Sequence, residues 1–385
     1  MVPAIFLLGV TLSIVNLEAL GIAAANPVEK AVFLVFGLGY VATRPIILRN
    51  LYILIAIMGL TWACALLSTN PSFSWERYVR ALVSLVAMLL CFVAMPKRQD
   101  QIWILSAIAF APLLATGLGF VYAAAGLRGM WGIGDSGADR FQGSIIAASM
   151  GAAACAGLFS AVRLADVSSK SYLIVALLNC IPLVLSAARM AVAAAILAAG
   201  SAILFGFKKF PRQKILALIY GSAGLLVLLA ALGDRIMMRF ETSGLNGRDE
   251  LWAMLYDSLK THALFGIGLG HQNLLIPLDT ARAQRTDAAH NEFLRFAAEL
   301  GYVGAAMFFV LFLAMLFSFL ARKDYGDRGI LLCVYAAFAL FSVTDNAFSV
   351  SHIYLLLVAG VVSCKISDPV ESRGIVRARL AQASI

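Results

Sequence analysis

The chain has 385 residues, of which 62% are hydrophobic and only 13% are charged, and its mean hydropathy is +0.89. This composition excludes a string of soluble domains, and the long unbroken apolar runs exclude a membrane β-barrel, whose strands alternate apolar and polar residues. The net charge of +9 lies in short clusters between apolar runs, so it indicates membrane topology and no nucleic-acid partner.

Apolar runs between polar breaks predict an all-α polytopic helix bundle of about 12 transmembrane helices, since one spanning helix needs about 20 apolar residues. The first run lacks the basic segment that precedes a signal-peptide core, which favours an uncleaved first span. The break at Ser186–Arg189 is the shortest, so one kinked helix is the alternative there. The predicted spans are 2–24, 31–45, 51–69, 78–95, 102–124, 143–162, 172–187, 190–207, 214–232, 297–320, 328–345 and 351–364.

These spans divide the chain into four parts. Residues 1–232 hold transmembrane helices 1–9, residues 233–296 form a large loop, residues 297–364 hold helices 10–12, and residues 365–385 form a basic tail. Lysine and arginine are in excess on the side that carries both termini, and the positive-inside rule assigns that side to the cytoplasm. The large loop is therefore predicted on the outer face, which is the periplasm in a Gram-negative cell.

The large loop is predicted to contain amphipathic helices. Leu251, Leu255 and Leu259 recur at the spacing of one helix face, with acidic residues ahead of them and a basic residue in the last turn. We interpret this stripe as a packing surface. The GlyIleGlyLeuGly run at 266–270 has no strand before it and no phosphate-loop lysine after it, so a structural turn is favoured over anion contact through Gly268.

The candidate site residues are polar side chains on the predicted outer face. His290 precedes Asn291, a residue type that caps helices, and an imidazole at such a position can act as a base near neutral pH. Arg248, Arg189 and Arg140 are candidates for binding a polyprenyl diphosphate, because guanidinium groups bind phosphate in a bidentate manner. Two alternatives stay open: a surface role for His290, and a local ion pair for Arg140.

No metal site or cofactor is predicted. The four histidines lack the spacing of a zinc site, and neighbouring acidic residues do not share a helix face. The sequence also lacks the AspxAsp pattern that holds a sugar nucleotide through a metal. All six cysteines lie within or at the ends of apolar runs, so we interpret them as buried free thiols rather than disulfides.

One stretch of the large loop carries a family pattern. Residues 290–294 read HisAsnGluPheLeu, and Gly301 and Gly304 follow. This run resembles the HisAsnxxLeu…Gly signature of the superfamily of O-antigen ligases and O-antigen polymerases, which are bacterial membrane glycosyltransferases. The resemblance is specific over residues 183–304.

Two further blocks strengthen the resemblance. Arg248 with Trp252 precedes the glycine run, and Ser186 with Arg189 heads a predicted span. Two alanines separate this serine from the arginine, which departs from the family's SerArg block.

The resemblance implies transfer of a glycan from undecaprenyl diphosphate to an acceptor hydroxyl at the bacterial inner membrane, without metal, nucleotide or other cofactor. Carried over, His290 is the general base, Arg248 and Arg189 are catalytic residues that neutralise the diphosphate, and one displacement inverts the anomeric centre. The implied partners are the bilayer, the carrier-linked donor and a lipid A–core or glycan acceptor. The predicted substrate-binding residues are Arg140, Trp252, Asn291 and Gly268.

The acceptor leaves two activities open. A ligase, which we favour, uses lipid A–core oligosaccharide as acceptor, whereas a polymerase uses a carrier-linked glycan, and both share the signature. A lipid-glycan flippase or transporter would show internal repeats and charges within the spans, and the sequence shows neither clearly. An assembly partner without activity would make the arginines and His290 dispensable.

Overall fold

The computed structural model describes residues 2–15, 17, 25–133, 139–207, 214–215, 248–284, 286–321 and 325–364. This part of the chain is all-α except for one short antiparallel hairpin. The helices are α1 (Val2–Val15), α2 (Ala25–Thr43), α3 (Leu48–Leu67), α4 (Trp75–Leu89), α5 (Arg98–Ala124), α6 (Ala147–Val167), α7 (Tyr172–Leu185), α8 (Arg189–Phe205), α9 (Arg248–Thr261), α10 (Leu278–Gln284), α11 (Glu292–Leu320), α12 (Tyr325–Thr344) and α13 (Ser351–Ser363), and the strands are β1 (Trp131–Ile133) and β2 (Asp139–Phe141). Two 3-10 turns occupy Leu90–Phe92 and Gln272–Leu275.

Five of the described helices, α3, α5, α6, α11 and α12, are long and apolar enough to cross a membrane. The helices α1, α7, α8 and α13 are apolar but shorter. The predicted all-α class is therefore confirmed, whereas the count of about 12 spans and the side on which the loop lies stay predictions. Most of the predicted span at 214–232 and the whole tail at 365–385 lie outside the described residues.

The short break at Ser186–Arg189 is a reversal between two helices. Gly151, near the start of α6, lies against the side chain of Ala191 near the start of α8, and at the other end the amide of Phe207 donates to Asp166 Oδ1 (2.9 Å) at the end of α6. Helices α6 and α8 therefore run in the same direction, with α7 returning between them. The alternative of one kinked helix is wrong.

Helix α6 lies at the centre of the described bundle. In its most apolar stretch 78% of the residues are buried, and it packs against α5, α7, α8 and α13. Small side chains permit this, since a Cβ on Gly157 would meet Pro112 of α5 and Asn179 of α7 at less than 3 Å. The alanine-rich sequence of α6 thus sets how closely its neighbours approach.

Helix α6 also extends five residues beyond the predicted end of its span, to Val167. This extension carries the buried Arg163, whose guanidinium pairs with Asp166 (3.1 Å) and Asp327 (3.1 Å) and donates to the carbonyl of Ser363 (2.9 Å). Neutralisation by two carboxylates makes burial of this arginine tolerable, and the sequence pattern had placed it in a loop.

The large loop is fastened to α11 at a break in that helix. Gly301 has φ 71° and ψ 173°, which interrupts the helical hydrogen bonds. The freed groups pair with the loop: Ile267 N donates to Ala298 O (3.0 Å), Gly268 N to Glu299 O (2.8 Å) and Tyr302 N to Ala263 O (2.8 Å). The glycine run is therefore a structural segment that completes the hydrogen bonds of α11.

We expect Gly301→Ala to destabilise the protein by about 2 kcal/mol or more, because a Cβ there would collide with the backbone of Leu264 and an L-residue disfavours positive φ. Thermal unfolding of the detergent-solubilised protein measures this loss. Gly59→Ala in α3 is the control, since a Cβ at Gly59 meets nothing within 4 Å. Equal unfolding temperatures for the two variants would contradict the structural role of the break.

Candidate functional site

The candidate site is built around the turn that follows α12. The amide of Asp345 donates to Phe341 O (2.7 Å), which continues the helix by one bond, and Asp345 Oδ1 accepts from the amide of Asn346 (2.8 Å). This second bond fixes the carboxylate against its own backbone. We call the end of the bundle where α12 ends the site end.

His290 lies between an acid and a hydroxyl. Its Nδ1 is 3.3 Å from Asp345 Oδ1, and its Nε2 is 3.0 Å from Thr286 Oγ1. A carboxylate only accepts hydrogen bonds, so Nδ1 carries the proton and Nε2 presents its lone pair to the hydroxyl. The imidazole is 27% exposed, so a substrate group can reach it.

Two bonds to the preceding peptide hold His290 in place. Trp252 Nε1 donates to Ala289 O (2.8 Å), and Ala289 N donates to Gln272 Oε1 (3.3 Å). His290 itself has φ 50°, in the left-handed region that non-glycine residues rarely adopt. Surrounding contacts must maintain such a conformation, and strained positions of this kind cluster at functional sites.

Arg248 lies at the same turn as His290. Its Nη1 donates to the carbonyl of Thr344 (2.9 Å), the residue next to Asp345. This carbonyl is at the C-terminal end of α12, where the helix dipole favours a cation. The structure therefore brings Arg248 and His290 onto adjacent residues of one turn, although 42 positions separate them in the chain.

The predicted amphipathic stripe packs against the start of α11. Leu251, Leu255 and Leu259 of α9 are buried and form a small apolar cluster with residues that include Ala289 and Leu294. The packing interpretation of the stripe is therefore confirmed. This cluster fixes α9, and with it Arg248 and Trp252, relative to His290.

Arg140 contacts the turn that precedes α8, the helix that begins at Arg189. Arg140 Nε donates to the carbonyl of Ser186 (2.9 Å), and the Ser186 hydroxyl donates to Leu183 O (2.8 Å). Arg140 thus holds the turn from which α8 starts at Arg189. The Nε atom of Arg140 therefore bonds to a backbone carbonyl, and the alternative of a local ion pair for Arg140 stays open.

The packing of α8 against α12 shows at which end of the bundle Arg189 lies. Phe205, at the end of α8, lies on Gly329, near the start of α12, so the two helices run in opposite directions. Both rise about 1.5 Å per residue. Arg189 therefore lies level with Thr344, at the site end of the bundle.

Asn291 and Gly268 have structural contacts in the described chain. The side chain of Asn291 caps α11 by accepting from the amide of Leu294 (3.1 Å), as its residue type predicts. Gly268 is buried beneath Phe73 with φ 98°, and its amide is bonded to Glu299 O. That amide is already used, which favours the turn interpretation over contact with an anion.

A buried charged cluster beside the site was missed from the sequence. Arg295 pairs with Glu292 (Nε to Oε2, 2.5 Å) and lies 3.7 Å from Glu299. Glu292 accepts from Phe348 N (2.6 Å), and Glu299 accepts from Gln272 N (3.1 Å). The cluster connects α11 to the segment after Asp345 and, through Gln272, to Ala289. The spacing of its three charged residues at i, i+3 and i+7 is the signal that could have revealed it.

Asp345 and Thr286 were also missed. Asp345 ends a predicted span, and an acid at that depth is a functional candidate by general rule. Thr286 carries no such signal. Within the described chain, no three His, Cys, Asp or Glu side chains gather to hold a metal ion, and the six cysteines are free thiols, four of them buried.

Comparison with known families gives one match to part of the sequence. The family described as O-antigen ligase matches residues 174–309. Residues 174–309 therefore belong to the O-antigen ligase family. The expected superfamily is confirmed over this part of the chain, which indicates a glycosyltransferase-like enzyme of the O-antigen ligase and polymerase type. No curated protein matches the chain.

The O-antigen ligase domain contains most of the predicted site. Arg189, Arg248, Trp252 and His290 lie inside the matched residues, whereas Asp345 lies beyond them. The site therefore joins the family domain to the end of α12.

We expect Trp252→Phe to lower glycan transfer by roughly tenfold, because it leaves the Ala289 carbonyl without its indole partner while keeping an aromatic ring. Transfer is measured at matched protein levels in membranes of the host. The control is Trp103→Phe, whose side chain on α5 is largely exposed and should leave transfer unchanged. Equal activities for both variants would contradict a role of Trp252 in positioning His290.

Proposed function

We propose that the protein is an O-antigen ligase that moves a glycan from undecaprenyl diphosphate to a hydroxyl of lipid A–core oligosaccharide. The observation that supports this most is the contact of His290 with the Asp345 carboxylate on one nitrogen and with a hydroxyl on the other. Such an arrangement suits removal of a proton from an acceptor hydroxyl. The family match supports the type of reaction, and the acceptor is part of the proposal.

His290 acts as the general base in this proposal. With the Nδ1 proton donated to Asp345, the lone pair of Nε2 is available to take the acceptor's proton. The carboxylate then stabilises the imidazolium that forms and keeps the ring oriented. Asp345 is thus a positioning residue, held in turn by the amide of Asn346.

The arginines act on the leaving group. The acceptor oxygen forms a bond to the anomeric carbon, and the bond from that carbon to the phosphate oxygen breaks with its electron pair going to the diphosphate. Arg248 and Arg189 neutralise the charge that develops there, since guanidinium groups bind phosphate oxygens in a bidentate manner. Arg140 supports them by holding the turn before Arg189. One displacement inverts the anomeric configuration.

The proposed orientation puts the site end in the periplasm and both termini in the cytoplasm. The opposite end of the bundle carries Arg44, paired with Asp100, and the buried Arg163. Basic residues concentrated at that end support a cytoplasmic location under the positive-inside rule. The lipid-linked donor and the lipid acceptor would then both reach the site from the outer leaflet.

We expect His290→Ala and Arg248→Ala to insert at normal levels yet to lower attachment of glycan to lipid A–core by a factor of about 100 or more. Carrier-linked polymer should accumulate in the host. Gel analysis of lipopolysaccharide, with an immunoblot for the protein, measures both effects. His262→Ala is the matched control, because His262 contacts Thr261 at the far end of α9.

Two outcomes would contradict the proposal in different ways. Normal capping of lipid A–core by both variants would exclude the assigned roles of His290 and Arg248. Attached glycans of a single repeat unit in place of unattached long chains would indicate the polymerase activity instead, with a carrier-linked glycan as acceptor.

A further inference from the structure

The hydroxyl beside His290 belongs to the protein itself. Thr286 Oγ1 is 3.0 Å from His290 Nε2 and accepts from the amide of Ala288 (3.2 Å). Because the Nδ1 proton of the neutral imidazole is directed at the Asp345 carboxylate, Nε2 is the acceptor and the Thr286 hydroxyl donates to it. The imidazole nitrogen has one lone pair and can accept one such proton.

The acceptor hydroxyl needs the same lone pair. A general base must lie about 2.6–3.2 Å from the oxygen whose proton it removes, and Thr286 occupies that position. Thr286 and an acceptor hydroxyl therefore cannot be bonded to Nε2 at the same time. The acceptor must displace Thr286 before transfer begins.

The segment that carries Thr286 is weakly held. Thr286 N donates to Ala281 O (3.0 Å), which links it to α10, and none of the seven described residues of α10 is buried. Leu278 is 67% exposed, and a hydrogen bond from Gln284 to Glu250 (3.3 Å) joins α10 to α9 at the surface. Segments with so few buried contacts open at little cost.

We propose that Thr286 shields the base from water and is displaced by the acceptor, so that it determines the selectivity of the enzyme for transfer over hydrolysis. This inference rests on the proposed function. In the resting state the Thr286 hydroxyl satisfies Nε2. A water molecule gains little by replacing it, whereas a glycan acceptor makes further contacts that compensate for opening the segment.

The consequence without Thr286 is a competing reaction. Water could then donate to Nε2, attack the anomeric carbon and break the bond to the diphosphate, with its proton passing to His290. The products are a free reducing glycan and undecaprenyl diphosphate. Water supplies the oxygen, so the reaction balances without any other reagent.

The test uses the purified full chain with an undecaprenyl diphosphate-linked glycan and lipid A–core oligosaccharide, and it measures transferred glycan and released glycan separately. Thr286→Val keeps the branched shape and removes the hydroxyl. We expect it to raise donor hydrolysis up to about tenfold and to lower the half-saturating acceptor concentration by a similar factor. Thr286→Ser keeps the hydroxyl and should behave as the native protein.

Two further variants make the test decisive. Thr286→Ala removes the hydroxyl without the branched side chain and should show the same rise in hydrolysis, which keeps the test valid if the valine variant folds poorly. Thr280→Val on α10 is the control for loss of a threonine elsewhere in the segment. If the variants that lack the hydroxyl show unchanged donor hydrolysis and unchanged dependence on acceptor concentration, the inference is overturned. Transfer by the native protein in the same assay would still support the proposed function. A native protein inactive with this donor would overturn the proposed function itself.

Discussion

The break in α11 at Gly301 is the constraint on which the site depends. A transmembrane helix that stops hydrogen bonding within itself must find other partners for its backbone, and the segment 263–268 supplies them. The large loop is thereby hydrogen-bonded to α11, the helix that begins within the signature HisAsnGluPheLeu. Glycine is required where the two backbones meet, because a Cβ on Gly301 would collide with the backbone of Leu264 and one on Gly266 with the backbone of Glu299.

The position of the general base, His290, depends on these hydrogen bonds between the loop and α11. The carbonyl of Glu299 accepts from Gly268 N at the break, its buried carboxylate accepts from Gln272 N, and the Gln272 side chain accepts from the amide of Ala289. Trp252 holds the carbonyl of the same residue. His290 is thus set against Asp345 by contacts that begin in the break of α11, and a strained φ can persist because so many bonds converge on it.

Sequence patterns within one helix predicted features of that helix, but they did not predict contacts between residues far apart in the chain. The stripe of α9 was predicted because its period is a property of one helix, and Asn291 as a cap because capping involves residues three apart. The pairing of His290 with Asp345 spans 55 residues, and that of Arg163 with Asp327 spans 164. Partners so far apart leave no local spacing pattern in a single sequence. Asp345 was therefore missed, and the end of α6 was placed five residues early.

The central claim is that His290 and Asp345 work as one base, and a double-mutant cycle tests it most directly. Glycan transfer is measured for His290→Ala, for Asp345→Asn and for the two combined, at matched protein levels in the same membranes. Because Asp345 acts only through the imidazole, the account predicts that the combined variant is no less active than His290→Ala alone. A combined loss equal to the product of the two separate losses would show that the residues act independently and would contradict the account.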